Sequence, residues 1–117
     1  MESILTSVKK LLGIAEECED FDPDLIMYIN SALFALGQMG VGPEKGYMIS
    51  DKTNTWEEFL PDAVKAAAVK AYLAVKVRLL GFDPPQSSTT MEALKNTAAE
   101  MEWRLNCEFD TPKKGSS

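Results

Sequence analysis

Between Val64 and Leu80 the chain places Val64, Ala67, Ala68, Val69, Ala71, Tyr72, Leu73, Val75, Val77, Leu79 and Leu80, apolar on more than one face of any helix drawn through them. A helix at the surface of a single domain keeps one apolar stripe. One that is greasy on several sides has to lie at the centre of a bundle or be pressed between subunits. Its ends are marked. Thr55 followed three residues later by Glu58 reads as a capping box, Pro61 sits early enough to open the main helix after a short first turn, and Gly81 stops it. The expected span is about 61 to 80.

The other segments supply partners for this helix. Ile4, Leu5, Val8, Leu11, Leu12 and Ala15 recur at helical steps and form one stripe on a short helix ending near Gly13. An acidic stretch of Glu16, Glu17, Glu19, Asp20, Asp22 and Asp24 then leads into Leu25, Ile26, Ile29, Ala32, Leu33 and Leu36. Asp22 as N-cap with Pro23 at the first helical position starts a second helix, which runs to about Met39 and stops at Gly40. From Gly40 to Asn54 the period disappears. Gly40, Gly42, Pro43 and Gly46 mark a projecting loop in which Tyr47, Met48 and Ile49 form one short strand or hairpin arm. Phe82-Asp83-Pro84-Pro85 makes a rigid turn. One of Ser87, Ser88 or Thr89 then caps a last helix carrying Met91, Leu94, Ala98, Met101 and Leu105 on one side, with Glu100 and Arg104 paired on its surface.

The expected fold is all-α: a small bundle of about four helices over residues 1–110, with a long extended or hairpin-like loop between the second and third helices. Residues 111–117 have no apolar anchor and are expected to form a flexible tail.

Composition narrows the function. There is no histidine, which removes the usual general base near neutral pH, the commonest zinc ligand and every Ser-His or Cys-His scheme. No pair of acids stands in an apolar setting that would separate their pKa values, so no enzyme is expected. Cys18 and Cys107 form no CxxC pair and read as two inert thiols of a reduced, cytosolic chain. Asp20, Asp22 and Asp24 imitate the start of a calcium loop, but Leu25 stands where its glycine belongs and Ser31 where its bidentate Glu belongs. The glycines after residue 40 match no phosphate-binding pattern, and no cofactor or metal is expected. Eighteen acids against twelve bases give a net charge of -6, which disfavours adhesion to DNA or to an anionic membrane. Lys65 and Lys76 share a stripe of the third helix while Lys70 and Arg78 point elsewhere, so no single basic face meets a groove. Lys9 and Lys10 follow the N-terminal apolar residues instead of preceding them, and no apolar run reaches membrane-spanning length. The chain is expected to be neither exported nor membrane-spanning.

The loop residues Tyr47 to Ile49 either fold back onto the core or form an arm that pairs with a neighbouring chain. Trp56, Phe59 and Trp103 lie near helix ends, where large aromatics serve as core or as anchors of a subunit interface.

Taken in order, several short motifs resemble the head-tail connector (adaptor) family of tailed bacteriophages, in the versions found in siphophages and prophages of Gram-positive bacteria. They are Ile4-Leu5-Thr6-Ser7-Val8-Lys9-Lys10-Leu11-Leu12-Gly13-Ile14, Phe21-Asp22, Ile29-Asn30-Ser31-Ala32-Leu33, Leu36-Gly37-Gln38-Met39-Gly40-Val41-Gly42-Pro43 and Trp56. Val75-Lys76-Val77-Arg78-Leu79-Leu80, Phe82-Asp83-Pro84-Pro85 and Glu100-Met101-Glu102-Trp103-Arg104-Leu105 complete the series. The resemblance implies a structural virion assembly protein that docks beneath the portal and forms a ring, usually of twelve copies. That ring extends the DNA channel and meets a head-completion (stopper) or tail protein. DNA would pass without specific binding, and assembly would take place in the host bacterial cytoplasm. Within that reading Val41, Gly42, Pro43, Tyr47, Met48, Ile49 and Lys52 are candidates for subunit-interface or lumen contact. Phe82, Asp83, Pro84 and Pro85 would set the angle of the last two helices, and Trp103 with Arg104 would pin the final helix to the bundle or to a neighbour. Met91, Leu94, Met101, Leu105 and Phe109 are the portal-facing candidates. The competing reading is a small helical prophage-encoded regulator that binds DNA or a protein partner.

Overall fold

The computed structural model describes residues 2–109, without the side chains of residues 108 and 109. The expected tail and the Phe109 side chain therefore lie outside the described residues. The chain is all-α and forms a slab of 46 × 36 × 21 Å. Its helices are α1 (Ile4–Leu11), α2 (Asp22–Gln38), α3 (Trp56–Phe59), α4 (Ala63–Leu80) and α5 (Ser88–Phe109). The extra helix arises from Pro61. Its ring pushes Leu60 out of helical geometry, to φ -151° and ψ 94°, so α3 is a single turn and α4 starts afresh behind Asp62. Asp62 caps that start by accepting the N–H groups of Val64 at 3.0 Å and Lys65 at 3.2 Å.

Two glycines close helices in the same way. At the end of α2, Gly40 has φ +90° and the Val41 N–H returns 3.0 Å to the Leu36 carbonyl, bringing two fully buried side chains together. At the end of α1, Gly13 has φ +81° and the Ile14 N–H reaches the Lys9 carbonyl at 2.8 Å. Both turns were legible as glycine stops, because only a residue without Cβ takes these angles freely.

Helix α4 packs against α1, α2 and α5, while α5 touches α4 alone among the major helix pairings. Ala66, Val69, Tyr72, Leu73 and Val77 are buried along α4. They meet Ile4, Leu5 and Val8 of α1 and Leu25, Ile29, Ala32, Leu33 and Leu36 of α2 in one core. Helix α5 is held by Ala98 and Leu105, and by the Tyr72 hydroxyl, which donates to Glu102 Oε2 at 2.6 Å. Burial, with Glu102 beside it, pushes the Tyr72 phenol far above its usual range. Phe82 leaves the end of α4 to pack edge-on against Phe21 before α2, ring centroids 5.5 Å apart. Arg78 donates to the Asp83 carbonyl at 3.1 and 3.2 Å, holding Asp83 at φ +50°. The proline turn is thus fastened to α2 and α4 as well as leading into α5.

Asp22, expected as the N-cap of α2, forms its first residue, and its carboxylate is turned to another use. Lys9 is 3% exposed; its ammonium lies 3.0 Å from Asp22 Oδ1 and donates to the Glu16 carbonyl at 2.9 Å. This pair ties the acidic turn between α1 and α2 to the core.

The N-terminus closes the other side. Ile4 N–H bonds the Asn54 carbonyl and Trp56 N–H bonds the Glu2 carbonyl, both at 3.0 Å, so Ser3 and Thr55 form an isolated antiparallel bridge. Ser7 Oγ lies 2.7 Å from Glu2 Oε2 and accepts the Trp56 indole N–H at 3.0 Å. Lys70 donates to Glu2 Oε1 at 2.6 Å and sits 5.7 Å above the Trp56 ring. The Lys70 and Ser7 hydrogen bonds hold the Glu2 carboxyl below its ordinary 4.5. A lowered folded-state pKa adds stability that is complete above the unfolded value and disappears as pH falls through the folded one. Acid titration of unfolding should therefore show Glu2→Gln losing its deficit relative to the parent chain below about pH 4.5, since the parent then protonates the same group. An equal deficit at pH 7 and pH 3 would show that the carboxylate charge contributes nothing.

Candidate functional site

No strand forms at Tyr47 to Ile49, and the loop does not project as an arm along its whole length. The reason is Asn30. Its carboxamide oxygen accepts the Ile49 N–H at 2.8 Å and its NH₂ donates to the Ile49 carbonyl at 3.0 Å, satisfying both backbone groups that a neighbouring strand would need. Ile49 and Val41 are consumed by the core and reach no surface. Tyr47 is half-buried against Phe59, ring centroids 5.6 Å apart. Its hydroxyl donates to Glu58 Oε1 at 2.7 Å. Burial and that carboxylate raise the Tyr47 phenol to about 12, and the same bond holds Glu58 below its usual value. Glu58 also accepts the Thr55 N–H at 3.2 Å, so the residue read as part of a helix cap anchors the loop too. Gly42 is half-buried, and Pro43, Met48 and Lys52 are exposed.

What the loop leaves outside is the first of two apolar faces. On α2 the residues Met27, Ser31, Phe34 and Gln38 recur at steps of four and three, nearly opposite the buried stripe of Leu25, Ile29, Ala32 and Leu36. Phe34 is 70% exposed and Met27 56%, and Met48 of the loop is 69% exposed beside them. Between α2 and residues 43–48 lies an open groove of about 1050 Å³.

The second face is on the far side of α4. Where the first turns of α4 meet the C-terminal half of α5, Val64, Ala68, Ala71, Met101 and Leu105 line a cleft of about 380 Å³ edged by Lys65 and Arg104. Val64 is 81% exposed. The helix that is greasy all round is therefore covered on the sides facing α1, α2 and most of α5, and open here.

Of the portal-facing candidates on α5, Leu105 is buried, Met91, Leu94 and Met101 are half-buried on the same stripe, and Met101 and Leu105 line the cleft just described. They follow Ala98 toward α4, because a helix with one neighbour spends its apolar stripe on that neighbour. Arg104 pairs with Glu100 at 2.7 Å, as the spacing predicts. Trp103 turns away from Met101 and Leu105, is 67% exposed, and does not pin α5 to its own bundle. Cys18 and Cys107 are free, half-buried and exposed respectively. Among the described residues no group of three or more acids and cysteines could hold a metal ion, and no helix is long and apolar enough to cross a membrane.

The sequence reading missed Met27, Asn30 and Phe34. Met27 and Phe34 are seven positions apart, two turns along α2 off its core stripe, and that surplus of apolar residues was the available signal.

An all-α slab with apolar faces on separate flanks has the character of an assembly component. The family model for phage connector proteins matches residues 4–112, nearly the whole chain. The chain belongs to the phage connector protein family. No curated protein and no solved structure matches it significantly. Membership makes the chain a structural, head-tail connector component of the bacteriophage virion, a family whose partners are portal and tail proteins. As in the sequence reading, this role asks the fold for surfaces, and both apolar faces are exposed.

Proposed function

We propose that this connector docks beneath the portal, closes into a ring and prolongs the DNA channel toward a head-completion or tail protein. Twelve copies is the number the family resemblance implies. The observation that carries the ring is the pair of exposed apolar faces, one on α2 beside the loop and the other where α4 meets α5. A closed ring of more than two copies needs two unlike surfaces per subunit, whereas a single self-complementary patch stops at a dimer. The outer side of α5, with Trp103 exposed on it, is the surface left for the portal. The net charge of -6 suits a channel along which the phosphate backbone slides without adhering. In this reading the connector assembles in the host bacterial cytoplasm and functions in the virion.

The basic residues of α4 give no support to a DNA-binding regulator, since they are engaged inside the subunit. Lys70 is held by Glu2, Lys76 lies 3.4 Å from Glu102, and Arg78 is spent on the Asp83 carbonyl. Electron microscopy of the purified chain, alone at high concentration and coexpressed with its phage's portal protein, tests the proposal. Annular particles coaxial with the portal are expected; their absence under both conditions, or a mobility shift of free duplex DNA by the monomer, would end it.

A further inference from the structure

We infer that α5 of one copy leaves its own α4 and packs on the α4 of the next copy, so that exchanged helices close the ring. This goes beyond the ring reading and rests on it. The occupant is identified by the subunit itself, because the face of α4 that receives a neighbour's α5 is seen filled by an identical helix.

Helix α5 is loosely held for its length. It has 22 residues and packs on α4 alone among the major helix pairings. Of its described side chains, Ala98 and Leu105 are buried, Met91, Leu94, Met101 and Glu102 are half-buried, and the rest are exposed. Toward the start of α4 its seat is incomplete, leaving the cleft of about 380 Å³ with Val64 81% exposed at its edge. An element with so few buried contacts opens at a lower free energy than the core does. Its polar fastenings, Tyr72 on Glu102 at 2.6 Å and Lys76 3.4 Å from the same carboxylate, both reach it from α4. The α5 of a second copy reproduces all of these contacts, so exchange sacrifices nothing at this interface.

The connection between the two helices favours the open form. Phe82 stays with its own subunit against Phe21, so the pivot lies after it. Asp83 has φ +50° and is the one non-glycine residue at positive φ among the described residues. It also precedes Pro84, and a residue before proline is driven toward extended backbone. The turn that folds α5 back on α4 therefore works against the local preference of Asp83, and Arg78 keeps it by donating to the Asp83 carbonyl. Straightened, residues 83–87 reach about 16 Å, and packed helix axes lie about 8–10 Å apart, so the hinge is long enough to set α5 on an adjacent subunit. Short hinges under strain favour exchange of this kind.

Exchange also supplies what ring closure requires. The inner stripe of α5 and the face of α4 that takes it are unlike surfaces, so passing α5 in one direction generates a head-to-tail contact. It places α4 between α1 and α2 of its own subunit and α5 of another, which is the position a helix apolar on several faces needs.

Isotope-mixed crosslinking of the unaltered chain is the test. Lys76 and Glu102 form an ion pair across α4 and α5, close enough for a zero-length carbodiimide to join them. Unlabelled and nitrogen-15-labelled chains in equal amounts are mixed in urea, refolded together, assembled with and without purified portal protein, and separated into monomers and rings. Mass spectrometry then reads the isotope content of each crosslinked peptide. In monomers the two halves of the Lys76–Glu102 peptide should always match. In rings about half of that peptide should join a labelled to an unlabelled segment, the random expectation for a pair formed between copies. Lys70–Glu2, which ties α4 to the N-terminus within one subunit, is the internal control and should stay matched in both fractions. Rings with matched Lys76–Glu102 peptide would overturn the exchange and leave the connector reading standing. Loss of that crosslink in rings would place α5 off α4 altogether, with the same consequence. Mixed peptide confined to dimers would show a reciprocal twofold exchange that closes no ring, which also overturns the inference. A chain that forms no ring, alone or with portal, would remove both this inference and the reading it rests on.

Discussion

Lys9→Met will lower the unfolding free energy by about 3–5 kcal/mol, the range for removing one partner of a buried ion pair. Lys9 is 3% exposed and Asp22 21%, and Asp22 Oδ1 has no hydrogen-bond partner that would replace the ammonium 3.0 Å away. Methionine conserves the length and apolar stem of lysine, so core packing at α1 survives while the carboxylate and the Glu16 carbonyl are stranded. The double variant Lys9→Met/Asp22→Asn should recover much of the loss, because a carboxamide has no charge to strand. Urea unfolding of the single and double variants at pH 7 measures this directly. A single-variant loss under about 1 kcal/mol would place the pair with ordinary surface ion pairs, whose contribution is of that size.

Gly42→Ala will be the most damaging change within the loop, at about 2–5 kcal/mol, because two separate costs combine there. Gly42 sits at φ +93°, where any Cβ is strained, and its Cβ would collide with Cε1 of the Phe59 ring and approach Cδ1 to 2.9 Å. Phe59 is 2% exposed and packs between Trp56 and Tyr47, so it has little room to withdraw. Gly46→Ala is the control. It has nearly the same backbone angle, φ +92°, but its Cβ would meet nothing within 4 Å, so only the backbone cost of about 1–2 kcal/mol applies. Thermal unfolding of the two variants should differ by several degrees, with Gly42→Ala the lower. Equal midpoints would mean that Phe59 yields freely. Because residues 43–48 form one wall of the groove, Gly42→Ala should also weaken assembly more than Gly46→Ala does.

The helices were largely legible because their signals are local. The step pattern of Ile4, Leu5 and Val8, Pro23 near the start of α2, and the stops at Gly13, Gly40 and Gly81 depend on the chain within a turn or so. The boundary at Pro61 was misplaced for a related reason. Proline is compatible with the first turn of a helix and with the break before one, and the extended geometry of Leu60 decides between them. The candidate surfaces were less legible. Val41 and Ile49 look identical in sequence to interface residues, yet both are buried in their own subunit, one by the glycine closure of α2 and the other by the side chain of Asn30, nineteen positions away. Phe34 looks like one more member of an apolar helix, and its exposure follows from which stripe of α2 happens to face α4.

The sequence by itself determined an all-α chain with an over-apolar helix after residue 61, no histidine chemistry, a net negative charge and a motif order that resembles the connectors. Periodicity, capping and composition are properties of neighbouring residues and survive without a fold. Only the tertiary structure decided which greasy residues are spent inside the subunit and which remain for another. That division depends on long-range partners, as when Asn30 holds Ile49 and Tyr72 holds Glu102. Burial is a property of what lies across the chain from a residue, and no window of sequence contains it.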